Sequence, residues 1–121
     1  PHPELDALAR RFPKGAHQPV VLGLTARAAG LGAADAAYCS AYESVSGPAT
    51  ATVRLLSLDP FDATAGLARL ADDIDRVATE AAEAAARAVT EGTDSLPAAS
   101  APLLEVGAEA HAAWAVRLFA S

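Results

Sequence analysis

Between Leu67 and Ala88 the apolar positions recur alternately every three and four residues, at Leu67, Leu70, Ile74, Val77, Ala81, Ala84 and Ala88. That spacing is a heptad seam, a stripe along one helix that asks for another helix to cover it. Its first half is bulky and its second half is alanine, so a neighbour can approach the second half closely. The whole chain follows this lead. Hydrophobic residues make up 52% of the sequence but aromatic residues only 5%, so the apolar content is largely alanine, which buries little area per side chain. Alanine has the best helix propensity, and the β-branched and aromatic runs that mark strands are scarce. The expected fold is all-α, a bundle of about five to six helices. With 121 residues, it forms one domain spanning 1–121 with a modest core.

Start and stop signals place the other helices. "PELDALARRF" puts Leu5, Leu8 and Phe12 on one face, behind a proline suited to a first turn and ahead of the breaker "PKG". Pro19 opens a second helix running to about Ala29, with Val20, Val21, Leu24 and Ala28 as its apolar stripe and Gly30 at the C-terminal cap. From Ala33 to Leu56 the positions Tyr38, Ala41, Val45, Thr52 and Leu56 keep helical spacing, with Gly47 and Pro48 between them. A helix-interior proline costs about 3 kcal/mol and clashes with the carbonyl four residues back, so a kink, or two helices in tandem, is expected between Ser46 and Ala49. Asp59 or Asp62 then caps the longest helix, which carries the seam to about Glu91 and stops at Gly92. On its outer face Asp72 with Arg76 and Glu83 with Arg87 stand four apart, acid before base, each pair contributing roughly 0.2–0.5 kcal/mol. "GTDSLPAAS" is a loop, and Ser100 with Pro102 opens a last helix that places Leu103, Gly107, Ala110 and Trp114 on one side. Glycine in mid-helix is costly, so Gly107 is expected to pack closely on another backbone, with Trp114 as an anchor to the body of the domain.

Charge and cysteine usage bound the function. The net charge is −6, with nine basic residues diluted among fifteen acidic ones, which excludes a nucleic-acid footprint and disfavours anionic membranes. No apolar run approaches the roughly 20 residues that span a bilayer, and "PHPELDALAR" lacks the regions of a signal peptide, so a cytoplasmic location is expected. Cys39 is the sole cysteine, which rules out an internal disulfide and a thiolate zinc cage. The chain has no methionine and begins at Pro1, so it is expected either to have lost an initiator or to be a piece of a longer protein.

Constellations that carry catalysis are nearly absent. His2, His17 and His111 lie far apart and none makes an i, i+4 metal-binding pair, so structural or partner-contact roles are expected and neither a metal nor another cofactor is assigned. Cys39 sits in "AAYCSAY" inside a helix, where a buried thiol acts as a small hydrophobe. "GLTARAAGLG" lacks the lysine of a phosphate-binding loop and follows a helix, so it is a helix cap. The carboxylates of "DDID" point to different sides of one helix and belong to a solvated face. Tyr38 and Tyr42 share a face four residues apart and are expected to stack, as core aromatics before an exposed interface pair.

Three stretches together resemble the C-terminal half of a UreF-type urease accessory protein. They are "HQPVVLGLTARAAGLGAADAAYCSAY", "ATATVRLLSLD" and "PLLEVGAEAHAAWAVRLFAS", in that order, covering nearly all of the chain from about His17. The last ends in an arginine-leucine-aromatic-x-serine terminus with a histidine six residues before the arginine. The resemblance implies an all-α fold without catalysis of its own. It implies a homodimeric scaffold bridging the UreD/UreH accessory protein and the nickel-carrying GTPase UreG, in the complex that delivers nickel to apo-urease. By motif position Arg117, Leu118 and Phe119, with His111 beside them, would dock UreD/UreH. Tyr42 would lie on the helix tied to GTPase coupling and dimer contacts, and Arg54 matches the basic position of the valine-arginine-leucine motif. Two features depart from the family pattern. Its N-terminal half, with a proline-glycine and a serine-x-glycine-leucine-glutamate signature, is missing, so exposed apolar patches are expected. Gly47 and Pro48 stand where many members continue a helix. Outside the family, the alternatives are a helical dimerisation module built on the seam, or a small thiol-dependent enzyme using Cys39.

Overall fold

The computed structural model describes residues 2–114. Its elements are α1 (Pro3–Arg11), α2 (Gln18–Ala28), α3 (Ala33–Leu56), α4 (Pro60–Arg69), α5 (Ala71–Glu91), a single 3-10 turn at Thr93–Ser95, and α6 (Pro102–Ala112). No strand occurs among the described residues, and none of these helices is long and apolar enough to cross a membrane. The all-α expectation and its count of helices are met.

Local chemistry sets most of the boundaries. Proline opens the first turn of α1, α2, α4 and α6, where its missing N–H costs nothing. Asp59 caps α4 by accepting the Phe61 N–H at 2.8 Å, and the Asp35 carboxylate accepts the Gly32 N–H at 2.8 Å at the start of α3. Gly30, at φ 81°, ends α2 in the left-handed cap expected of it. The Leu31 N–H returns to the Ala26 carbonyl at 2.9 Å, and the Gly30 N–H to Arg27 at 2.9 Å.

At Gly47–Pro48 the structure selects between the two expected outcomes, and at Leu70 it departs from the expectation. The segment around Gly47 and Pro48 does not divide into two helices; α3 runs unbroken from Ala33 to Leu56 with Pro48 inside it. Hydroxyls nearby donate to carbonyls of the same helix, Thr50 to Ser46 at 2.8 Å and Thr52 to Ala49 at 2.8 Å. On the same stretch Val45, Ala49 and Thr52 face Gly66 and Leu67 of α4 across a small cleft, so tertiary packing outweighs the proline's local penalty. Conversely, the helix expected to run from Asp59 to Glu91 is two helices, parted at Leu70, and α3 is the longest. Leu70 has φ −91° and ψ 0°, and its N–H bonds to the Leu67 carbonyl three residues back, a tightened last turn that ends α4. Asp72 and Asp73 then fall in the first turn of α5, where negative charge suits the helix dipole.

The core lies where α5 crosses α3, with α2 and α4 also packed on α3 and α1 on α2. Among the described residues only Ala26, Ile74, Ala78 and Ala84 are fully buried. Of the seam, Ile74 and Ala84 point inward as expected, but Ala78 is buried in preference to Val77, and Leu70 and Val77 remain exposed. The inward face is therefore rotated from the seam. On the outer face Arg76 pairs with Asp73 and Glu80, both at 3.1 Å, and neither Asp72–Arg76 nor Glu83–Arg87 forms. The hydrogen bonds that Arg76 donates to Asp73 and then to Glu80 hold its guanidinium above its usual pKa. Between elements, Arg27 bridges to Glu4 at 3.0 Å and Gln18 donates to Glu43 at 3.3 Å. Helix α6 packs against no other helix among the described residues.

Candidate functional site

The residues singled out from the sequence fall on two surfaces that the fold does not bring together. On the first, in α3, Tyr38 and Tyr42 stand one turn apart with ring centroids 6.4 Å apart and planes within 10° of parallel. Both rings are exposed, 43% and 44%, so they are an exposed stacked pair and not core aromatics. Tyr38 stands on the α5 side of α3, at the edge of an open cleft with Asp75, Ala78 and Thr79 that the bundle leaves unfilled. A stacked pair at the surface offers a rigid apolar platform with two phenolic hydroxyls, which suits a protein contact. Cys39 is exposed too, against the expectation of a buried thiol. Arg54, in the last turn of α3, is likewise exposed.

The second surface is α6. Leu103, Leu104 and Val106 are 88%, 75% and 67% exposed. Nothing lies within 4 Å of the position a Cβ on Gly107 would take, so the expected close approach to another backbone is absent. Trp114 is exposed as well and does not anchor the helix to the body of the domain. Its ring meets the edge of His111 instead, with centroids 5.2 Å apart and planes at 64°. His111 is thereby half-buried. Arg117, Leu118 and Phe119, assigned to partner docking from the sequence, lie outside the described residues. Sequence patterning had put Leu103, Ala110 and Trp114 on one side of the helix; it did not show that this side is uncovered, because exposure depends on what the rest of the chain leaves beside it.

Among the described residues, no group of three or more His, Cys, Asp or Glu side chains comes together in a way that could hold a metal ion. The "DDID" carboxylates fan around α5, with Asp73 committed to Arg76.

A third feature was not legible in the sequence. Helices α2, α3 and α5 diverge around an open apolar groove of about 440 Å³, floored by small side chains including Ala36, Ala81 and Ala85. The alanines of the seam announce that a neighbour can come close; that three helices leave the space unfilled is a property of the packing.

Comparison with known proteins matches the family model UreF over residues 1–71. A urease accessory protein UreF from Mycobacterium sp. (strain JLS) is 40% identical over 108 residues, covering 87% of this chain and 44% of the relative. The protein of the same name from Mycolicibacterium vanbaalenii is 36% identical over 105 residues, again 87% of this chain and 44% of the relative. The chain thus spans less than half the length of the curated relatives it matches. No solved structure matches it. The family match takes in residues 1–16, ahead of the stretch where the resemblance was read, and includes Tyr42, Arg54 and the α2–α3 half of the groove. With the family model covering well over half of the sequence, the chain belongs to the UreF family.

Proposed function

We propose that this chain is a non-catalytic helical scaffold of the urease nickel-insertion machinery, acting through protein contacts in the cytoplasm. The observation that carries the proposal is α6, a helix with Leu103, Leu104 and Val106 exposed and no helix packed against it, leading directly into the Arg117–Phe119 motif. A large exposed apolar patch of this kind marks an interaction site. In this reading α6 and the tail, through His111, Arg117, Leu118 and Phe119, dock UreD/UreH. Tyr42 and Arg54 on α3 serve the coupling to UreG and the contacts of a homodimer. Nickel is cargo that passes to apo-urease through the complex, and no metal or cofactor resides on this chain. Membership of the UreF family and the printed names of both curated relatives, urease accessory protein UreF, support the assignment.

The test is co-purification with UreD/UreH of this chain, joined to the remaining length of a relative. The wild type is expected to retain UreD/UreH, and truncation after Ala112 to lose it. Retention after that truncation would remove the tail from its assigned role. Of the bulky half of the seam, Ile74 is buried in the bundle while Leu70 and Val77 remain exposed.

A further inference from the structure

We propose that residues 49–69, the second half of α3 together with α4, form an arm that swings as one body on a double hinge at Gly47–Pro48 and Leu70.

The division follows from which elements pair. Helix α5 runs antiparallel to the first half of α3: Ala37 and Ala85 line the groove shared with α2, Tyr38 and Ala78 line a cleft, and Val45 and Ile74 line a small cavity. Beyond Val45 the neighbour of α3 is α4, where Ala49 and Thr52 share a second cleft with Ala63 and Leu67. Helix α4 packs on α3, touches α5 and reaches neither α1 nor α2. Among the described residues, the four that are fully buried all lie in the body, Ala26 in α2 and Ile74, Ala78 and Ala84 in α5. Helices α3 and α4 contain none. A unit that contributes no fully buried side chain moves at a lower free-energy cost than the core does.

Both points where the chain crosses between body and arm are weakened. On α3, Pro48 has no N–H to give to the Ser44 carbonyl, so the helical ladder lacks a rung there, and Gly47 beside it has the freest backbone. Packing does not require either residue: both are exposed, and a Cβ on Gly47 would meet nothing within 4 Å. On the return, Leu70 is the joint between α4 and α5. Its N–H turns back to Leu67 at 3.0 Å, and its carbonyl accepts the Ile74 N–H at 2.9 Å. Hinges are built from a few such element-terminal residues, which take up the change in φ and ψ.

The two crossings lie side by side. Val45 and Leu70 both line the cavity of about 110 Å³ on the body side and the cleft of about 270 Å³ on the arm side. A close-packed interior resists movement, and here open space flanks the pivot on both sides. A swing changes the spacing between Tyr42 on the body and Arg54 on the arm. That consequence rests on the reading above, which gives both residues to the UreG side; the hinge itself does not.

The test is pulsed electron paramagnetic resonance on the full chain carrying pairs of nitroxide labels. Cys39, exposed and the sole cysteine, labels the body. Phe61→Cys adds a label on the arm and Val89→Cys one at the far end of α5, both at exposed positions. The body–arm pair is expected to give a broad or two-peaked distance distribution and the body–body pair a narrow one. Gly47→Ala with Pro48→Ala, which restores the rung, should narrow the first to the width of the second and leave the second unchanged. Leu56→Cys with Arg69→Cys in a Cys39→Ala chain reads distances within the arm, and these should stay narrow. A body–arm distribution as narrow as the body–body one overturns the proposal without recourse to the alanine variant. So does a broad one that the two alanines leave unchanged. A broad distribution within the arm overturns it too, by replacing the swing with local unfolding. The distances are read without any partner, so failure of the hinge and failure of the UreG assignment are separate results.

Discussion

Helices α5 and α6 are both rich in alanine, both carry acidic residues, and both present branched aliphatic side chains, yet one is held by the fold and the other is not. In α5 the apolar positions gather on one face and the charges on the other, and Ile74, Ala78 and Ala84 disappear against the rest of the bundle. In α6 the apolar residues run most of the way round: Leu103, Val106 and Ala110 on one side, with Leu104 and Ala108 beside them. A helix apolar over most of its circumference is one meant to be covered on several sides. Among the described residues it is covered on none. The difference teaches that α5 is held by contacts within this chain, whereas α6 is left uncovered among the described residues.

Substitutions can sharpen or break that contrast. The largest effect is expected from Ile74→Ala. Ile74 is the one large side chain among the four buried residues, and removing its outer carbons should cost about 2–5 kcal/mol in urea unfolding. In a chain with so small a core, loss of the folded state at room temperature is the extreme form of that result. Enlarging the same contact with Ala78→Leu should cost roughly 1–3 kcal/mol, because the methyl is buried where α5 meets the bundle. Removing the cap of α4 with Asp59→Ala should cost about 1 kcal/mol, read from the same unfolding curve, since the Phe61 N–H loses its acceptor. At the small end, Leu104→Ala on α6 should leave the stability of the isolated chain within about 0.5 kcal/mol of the parent, while weakening capture of UreD/UreH. If Leu104→Ala instead destabilises the isolated chain as strongly as Ile74→Ala, α6 is a core helix and the contrast fails.

Much of the fold was legible because helix ends are local. Pro19, Gly30, Asp59, Gly92 and Pro102 each act through neighbours a few residues away, so their roles can be read from the order of residues. Two boundaries were not legible for the opposite reason. Nothing adjacent to Leu70 breaks a helix by propensity, and the division there lets α4 and α5 each pack on α3. Nothing adjacent to Pro48 repairs its missing donor, and the helix persists because the face carrying Val45, Ala49 and Thr52 lies against α4. The candidate surfaces divide in the same way. The stacking of Tyr38 on Tyr42 follows from a spacing of four residues, but the exposure of that pair, and of Cys39, follows from how much of α3 the other helices leave uncovered.

By itself the sequence determined the helical class, most of the caps and the heptad spacing, because propensity, capping and periodicity are set within one or two turns. It carried the resemblance to the UreF family as well. Tertiary structure alone decided which positions of the seam are buried, that α3 continues through a proline, that α6 stands uncovered, and that α2, α3 and α5 leave a groove between them. Each of these is a statement about which surfaces meet, and burial depends on the distance between elements that the order of residues does not specify.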